Sequence, residues 1–167
     1  MKYVIDLMTR GVDYERFSRV YFSEPFNQEL VLAVDLVERR VRERSLLPDG
    51  RERICLYIMP RVHMPAWVAK LASGYTIGYD EDTIFDPVRR CAHTQVHTPG
   101  RDLVRVSAET TFTEQPEGVH TRIELELKAR LPAVGGMIER YMARETDARY
   151  RIVERTLQQY IDQNRDR

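Results

Sequence analysis

Cysteine is scarce in this chain: Cys55 and Cys91 are the only two among 167 residues, and no C-x-x-C is present. Two thiols are too few for a disulfide framework and have no metal-site spacing, so they read as small buried hydrophobes. Net charge is absent as well, because 26 basic side chains balance 26 acidic ones. A chain without excess positive charge does not coat nucleic acid through bulk electrostatics, so no nucleic-acid partner is expected. No apolar run approaches the roughly 18 residues of a membrane span. The first residues show no apolar segment followed by a small-residue cleavage site, which points to a soluble, cytoplasmic protein. Lysine is rare: Lys2, Lys70 and Lys128 are the only three, and the other basic residues are arginine. A GC-rich genome explains that bias, and so does phosphate recognition by guanidinium forks; the even spread of arginine along the chain favours the first. There is no G-x-S-x-G, Walker loop or H-E-x-x-H, so no catalytic residue and no cofactor is assigned.

What remains is a globular composition, 43% hydrophobic and 31% charged, of a length that fits one domain spanning residues 1–167. Tyr3, Ile5 and Leu7 alternate as on a strand. Gly11 breaks the pattern, and Val12 to Phe22 then reads as a helix. A second helix from Ser23 to Val34 has Ser23 as its cap and Pro25 in its first turn. From Asp35 the pattern becomes strand-like, with Val37, Arg39, Val41 and Glu43 on one face, followed by the turn residues Pro48, Asp49 and Gly50. Ile54 to Met59 forms the next strand, and Thr76–Phe85, Arg90–Thr98 and Leu103–Thr113 are three more. Thr121 to Leu131 alternates cleanly, Ile123, Leu125 and Leu127 against Arg122, Glu124 and Glu126, as in an antiparallel sheet with one wet face. After Pro132 a helix runs from about Val134 to Asn164, with Met137, Ile138, Tyr141, Met142, Ala148, Ile152 and Val153 as its apolar stripe. Consecutive strands followed by one long helix bury best when the sheet curls around that helix. The expected fold is therefore α+β, a helix-grip with a curved antiparallel sheet, which leaves a ligand-sized cavity between sheet and helix.

The candidate site residues follow from that geometry. Glu145 falls near the centre of the helical stripe, where a lone carboxylate is costly. Arg149, four residues on, is its natural partner. The two form either a structural pair or a polar anchor for a ligand headgroup. Arg39, inward with Val37 and Val41, can meet Glu145, Glu81 or a phosphate. Glu81 shares a face with Ile77, Tyr79 and Phe85 and is read first as a cross-strand salt bridge. Tyr141 is either a core tyrosine or a hydroxyl offered to a ligand. His93 and His97 sit on a strand roughly 13 Å apart, too far for one metal ion, so no metal site is assigned. Glu145 and Glu81 together leave open an acid–base enzyme, of cyclase or dehydratase type, acting on an apolar metabolite.

Several motifs occur in a familiar order. Asp35 to Val41 reads D-x-V-x-R-x-V, Gly50 and Arg53 open an apolar hairpin strand, Pro65 to Val68 reads P-x-W-V, and Glu81 to Pro87 reads E-x-[ST]-x-x-D-P. Thr94, Val106, Glu109 and Thr121 follow. This order resembles the PRELI/MSF1 family, a branch of the START-like superfamily, over about residues 30 to 130. The resemblance implies a helix-grip fold that holds one phospholipid and shuttles it between membranes. It places Pro65, Trp67 and Val68 on a lid that docks transiently at a membrane surface. It also implies the mitochondrial intermembrane space as the location if the source is eukaryotic. Arg39 and Arg149, poised by Glu145, would then hold the lipid headgroup.

Overall fold

The computed structural model describes residues 1–61, 78–98 and 104–164. Strand β1 (Lys2–Arg10) leads into two short helices, α1 (Tyr14–Tyr21) and α2 (Glu24–Ala33). Strands β2 (Leu36–Leu46), β3 (Glu52–Pro60), β4 (Tyr79–Asp86), β5 (Cys91–His97), β6 (Val104–Gln115) and β7 (Gly118–Ala129) follow, and helix α3 (Gly135–Gln163) closes the chain. All neighbouring strands are antiparallel, in the order β1-β7-β6-β5-β4-β3-β2. The meander brings β1 back against β7, and α3 packs on β1, β7 and α2. This is the helix-grip arrangement expected from the element order.

Local chemistry sets the boundaries. Asp13 and Ser23 cap α1 and α2, accepting from the Arg16 and Phe26 amides, which satisfies donors that a helix N-terminus leaves open. The β2–β3 hairpin turns at Gly50, whose φ of 84° suits glycine. The β6–β7 hairpin depends on Gly118, at φ 149°. A Cβ there would lie 2.8 Å from the Arg10 Cα and closer still to the Thr9 carbonyl oxygen. Gly118→Ala is therefore expected to lower stability by about 2–3 kcal/mol, read as a shift in the urea midpoint at unchanged slope.

Side chains of α3 occupy the open edge of β1. Glu154 accepts the Met8 amide at 2.6 Å. Gln158 accepts the Arg10 amide at 2.8 Å and donates to the Arg10 carbonyl at 3.2 Å, as a neighbouring peptide would. An edge covered in this way does not recruit a foreign strand.

Strand β2 corrects the face read from simple alternation. Its pairing with β3 slips between Leu36 and Glu38 and again between Val41 and Glu43. Each bulge inserts a residue and flips the parity. The inner face therefore carries Leu36, Arg39, Val41 and Arg44, while Val37 is 53% exposed. Arg39 and Val41 point inward as expected, and Val37 and Glu43 are not among the inner-face residues.

Candidate functional site

The concave face of the sheet, α2 and one side of α3 enclose a cavity of about 430 Å³. Its floor is built in rows that follow strand register. One row runs Val41, Leu56, Glu81, Val96, Val106 across β2 to β6. Four of these five positions are aliphatic, so Glu81 is a carboxyl set into an apolar floor. The adjacent row on one side is Arg39, Ile58, Tyr79. The row on the other side holds Thr83 and Thr94, whose hydroxyls bond each other at 2.8 Å. Helix α3 roofs the cavity with residues at helical spacing, among them Met142, Thr146, Tyr150 and Val153.

Polar groups gather on the Glu81 side. The Arg39 Nε donates to Asn27 Oδ1 on α2 at 3.0 Å, which anchors the back of the guanidinium. Among the described residues Arg39 has no ion pair, and the Glu81 carboxyl has neither an ion pair nor a hydrogen bond. Burial raises the Glu81 carboxyl above its ordinary range, and the Arg39 charge opposes that only in part. Tyr21, Tyr79 and Tyr150 also line the cavity. Burial is the largest cause that raises each of these phenols, and each also feels the fields of Arg39 and Glu81. The Arg149 guanidinium acts on Tyr79 as well. The cluster thus holds two guanidiniums, three phenols and one carboxyl beside aliphatic walls.

Arg39, Glu81, Tyr141, Glu145 and Arg149 all line this one cavity. Their pairing differs from the reading above. Glu145 is exposed at the rim, not buried mid-stripe, because the sheet-facing line of α3 runs through Ala143, Tyr150 and Leu157 and leaves Glu145 on its flank. No ion pair joins Glu145 to Arg149 among the described residues. Nor does Glu81 form a cross-strand salt bridge there, since its register neighbours Leu56 and Val96 are apolar. Tyr141 sits within the field of Glu145, which adds to the upward push of burial on its phenol. Tyr21, Tyr150, Asn27 and Arg44 were not singled out from the sequence. Tyr150 had a usable signal, since it follows Met142 and Thr146 at intervals of four. Arg44 lines the rim and grips Glu52 through two nitrogens, at 2.6 and 3.1 Å. Pro65, Trp67 and Val68 lie outside the described residues. His93 bonds Glu109 at 2.5 Å, and no cluster of three His, Cys, Asp or Glu suits a metal ion among the described residues.

Among the described residues, eleven arginines form ion pairs. Arg40, Arg42, Arg53 and Arg61, for example, meet Glu38, Asp80, Asp82 and Asp35. Among the described residues, no helix is long and apolar enough to cross a membrane.

A family model described as a protein of unknown function (DUF2505) matches residues 8–161. No curated protein matches the chain. Among solved structures, the Thermus thermophilus protein TTHA0849 is similar at a TM-score of 0.60 and 15% identity, covering 94% of this chain and 95% of that one. A START superfamily protein from Mycobacterium smegmatis is similar at a TM-score of 0.55 and 13% identity, covering 98% and 97%. The di-domain ARO/CYC StfQ from the steffimycin biosynthetic pathway is similar at 0.63 and 10% identity, covering 98% of this chain and 52% of StfQ. At these identities the likeness concerns the fold, which is START-like.

Proposed function

The chain belongs to the DUF2505 family, and we propose that it acts as a single START-like domain that carries one hydrophobic ligand in the cavity between sheet and α3. The observation that carries this reading is the cavity itself: about 430 Å³, within the roughly 300–1,000 Å³ typical of small-molecule sites, with aliphatic and aromatic walls and a limited set of polar groups. Noncovalent carriage needs no more than this. The PRELI/MSF1-like motif order supports a phospholipid as the ligand, shuttled between membranes, and Arg39 and Arg149 suit a phosphate headgroup. The cavity volume favours a guest with one acyl chain or a compact ring body.

Two tests follow. Native mass spectrometry of freshly purified protein, with organic extraction, is expected to reveal one bound amphiphile per chain; an empty protein that also takes up nothing from vesicles ends the carrier reading. Val106→Phe, which adds a ring to the cavity floor beside Val96, is expected to cut ligand occupancy at least about tenfold while leaving the thermal midpoint within a few degrees, because the ring enters space instead of packed core.

Charge supports membrane contact. Among the described residues, Lys2, Arg105, Lys128, Arg130, Arg140 and Arg144 take part in no ion pair. Arg105 and Lys128 face each other across β6 and β7, a like-charge placement that costs stability. These cations surround the end of the domain where α3 begins and β7 finishes, and Arg140 and Arg144 flank a groove with Tyr3 and Met137. Flotation with vesicles should show binding that needs anionic lipid and weakens as salt rises.

A second reading, a cyclase or dehydratase acting on an apolar metabolite, is supported by Glu81, a protonatable carboxyl inside the cavity. The ARO/CYC name of StfQ lends it support. Under that reading Glu81→Gln abolishes turnover and preserves ligand uptake.

A further inference from the structure

The polar side of the cavity is unbalanced between donors and acceptors. Arg39 has its Nε committed to Asn27, and the remaining guanidinium nitrogens have no carboxylate partner among the described residues. Arg149 likewise has no carboxylate partner among the described residues. Tyr21, Tyr79 and Tyr150 each bring an O–H group that can donate. Glu81 lies in an aliphatic row, with Leu56 and Val96 as its direct neighbours. A carboxylate there has no hydrogen-bond or ion-pair partner among the described residues, which disfavours its ionised form, and the protonated acid is one more donor. The raised titration of Glu81 agrees with this. Glu145, which would offset one of the arginines, is exposed at the rim.

Two guanidiniums without a carboxylate partner among the described residues and several hydroxyl donors therefore line the cavity. Such a surface is satisfied by a guest rich in acceptors and carrying negative charge. A guest with a neutral head leaves guanidinium N–H groups dehydrated and unmatched.

We propose that the ligand is an amphiphile with an anionic oxygen head, a carboxylate or a phosphate monoester, on a single chain or compact apolar body, and that the head lies among Arg39, Arg149, Tyr79 and Glu81. The assignment rests on the carrier reading and names its ligand class. The apolar body runs along the Val96, Val106 and Met142 walls.

The test uses the full chain and chain-matched probes: dodecanoate, dodecyl phosphate, dodecanol and methyl dodecanoate, each titrated by calorimetry or by displacement of a fluorescent probe. At least one anion is expected to bind about tenfold or more tighter than the alcohol and the ester, one charge-assisted contact's worth of discrimination. Whichever anion leads identifies the source of the head. Arg39→Leu is expected to bring anion and alcohol to within about twofold of each other while dodecanol binds as before. Arg149→Leu serves as an independent second variant, and circular dichroism confirms the fold of both. Equal affinity for anion and alcohol in the unaltered protein overturns the head assignment and leaves carriage standing. An unchanged ratio in both variants overturns it as well. Binding of none of the four probes overturns carriage, and the assignment with it.

Discussion

Phe112→Ala is expected to cost about 3–5 kcal/mol, a large share of the roughly 5–15 kcal/mol that holds a domain together. Phe112 is 3% exposed and stands at the junction of sheet and helices. Its ring lies 5.6 Å from that of Phe17 and 5.8 Å from that of Tyr21 on α1. It is 6.2 Å from Phe22, which follows α1, and 6.3 Å from Phe85 on β4. Losing it removes the apolar area of one ring and leaves a void that the sheet cannot close, because β6 is hydrogen-bonded on both sides. The thermal midpoint should fall by about 10 °C. Phe112→Leu, which keeps most of the volume, should fall by less than half as much. Because Phe112 also lines the cavity between sheet and helix, the alanine variant enlarges it at the α1 end. Any residual folded protein should accept bulkier apolar probes. A variant as stable as the parent would mean that the aromatic cluster does not join α1 to the sheet as its ring contacts indicate.

The fold was legible where one physical signal dominated. Strand β7 shows its buried and wet faces residue by residue from Thr121 to Lys128, because sustained alternation has one solution in a half-buried sheet. The caps at Ser23 and the turn at Gly50 depend on local chemistry alone. The cavity lining was legible in part, and the pairing of its charged residues was not. Arg39 and Glu81 stood out as charged residues in an apolar pattern, and Arg149 as the residue four positions after Glu145. Their partners depend on long-range geometry that such a pattern does not contain. The two bulges in β2 shift parity and have no sequence marker. The isolation of Glu81 emerges only when strand register places Leu56 and Val96 beside it. Glu145 was misplaced for a different reason. An apolar stripe on a long helix fixes its facing direction only loosely, and Met137 and Ala148, counted as stripe residues, are exposed. Removing those two rotates the line toward Tyr150 and leaves Glu145 at the rim.

Glu81→Leu should raise the stability of the ligand-free protein and lower its ability to hold a polar head. Glu81 is held at its place in an aliphatic row without a hydrogen bond or ion pair among the described residues, so its native environment favours the neutral acid. The carboxyl's folded value is raised above the ordinary 4.5. The folded state therefore binds more protons than the unfolded one above that value, and stability falls as pH rises through the window between the two. Below pH 4.5 the group adds no penalty. Above its folded value the penalty is complete. Leucine removes it, so at about pH 8 the variant should be more stable by about 1–2 kcal/mol. The gain should shrink as the pH is lowered toward 4.5. Glu81→Gln should flatten the same pH dependence while keeping a donor toward the guest. Urea titrations at several pH values read both effects, and the comparison of leucine with glutamine separates burial from charge. A leucine variant less stable than the parent in alkaline buffer would place a compensating partner on the carboxylate, and Glu81 would then be part of the domain's framework instead of the proposed ligand site.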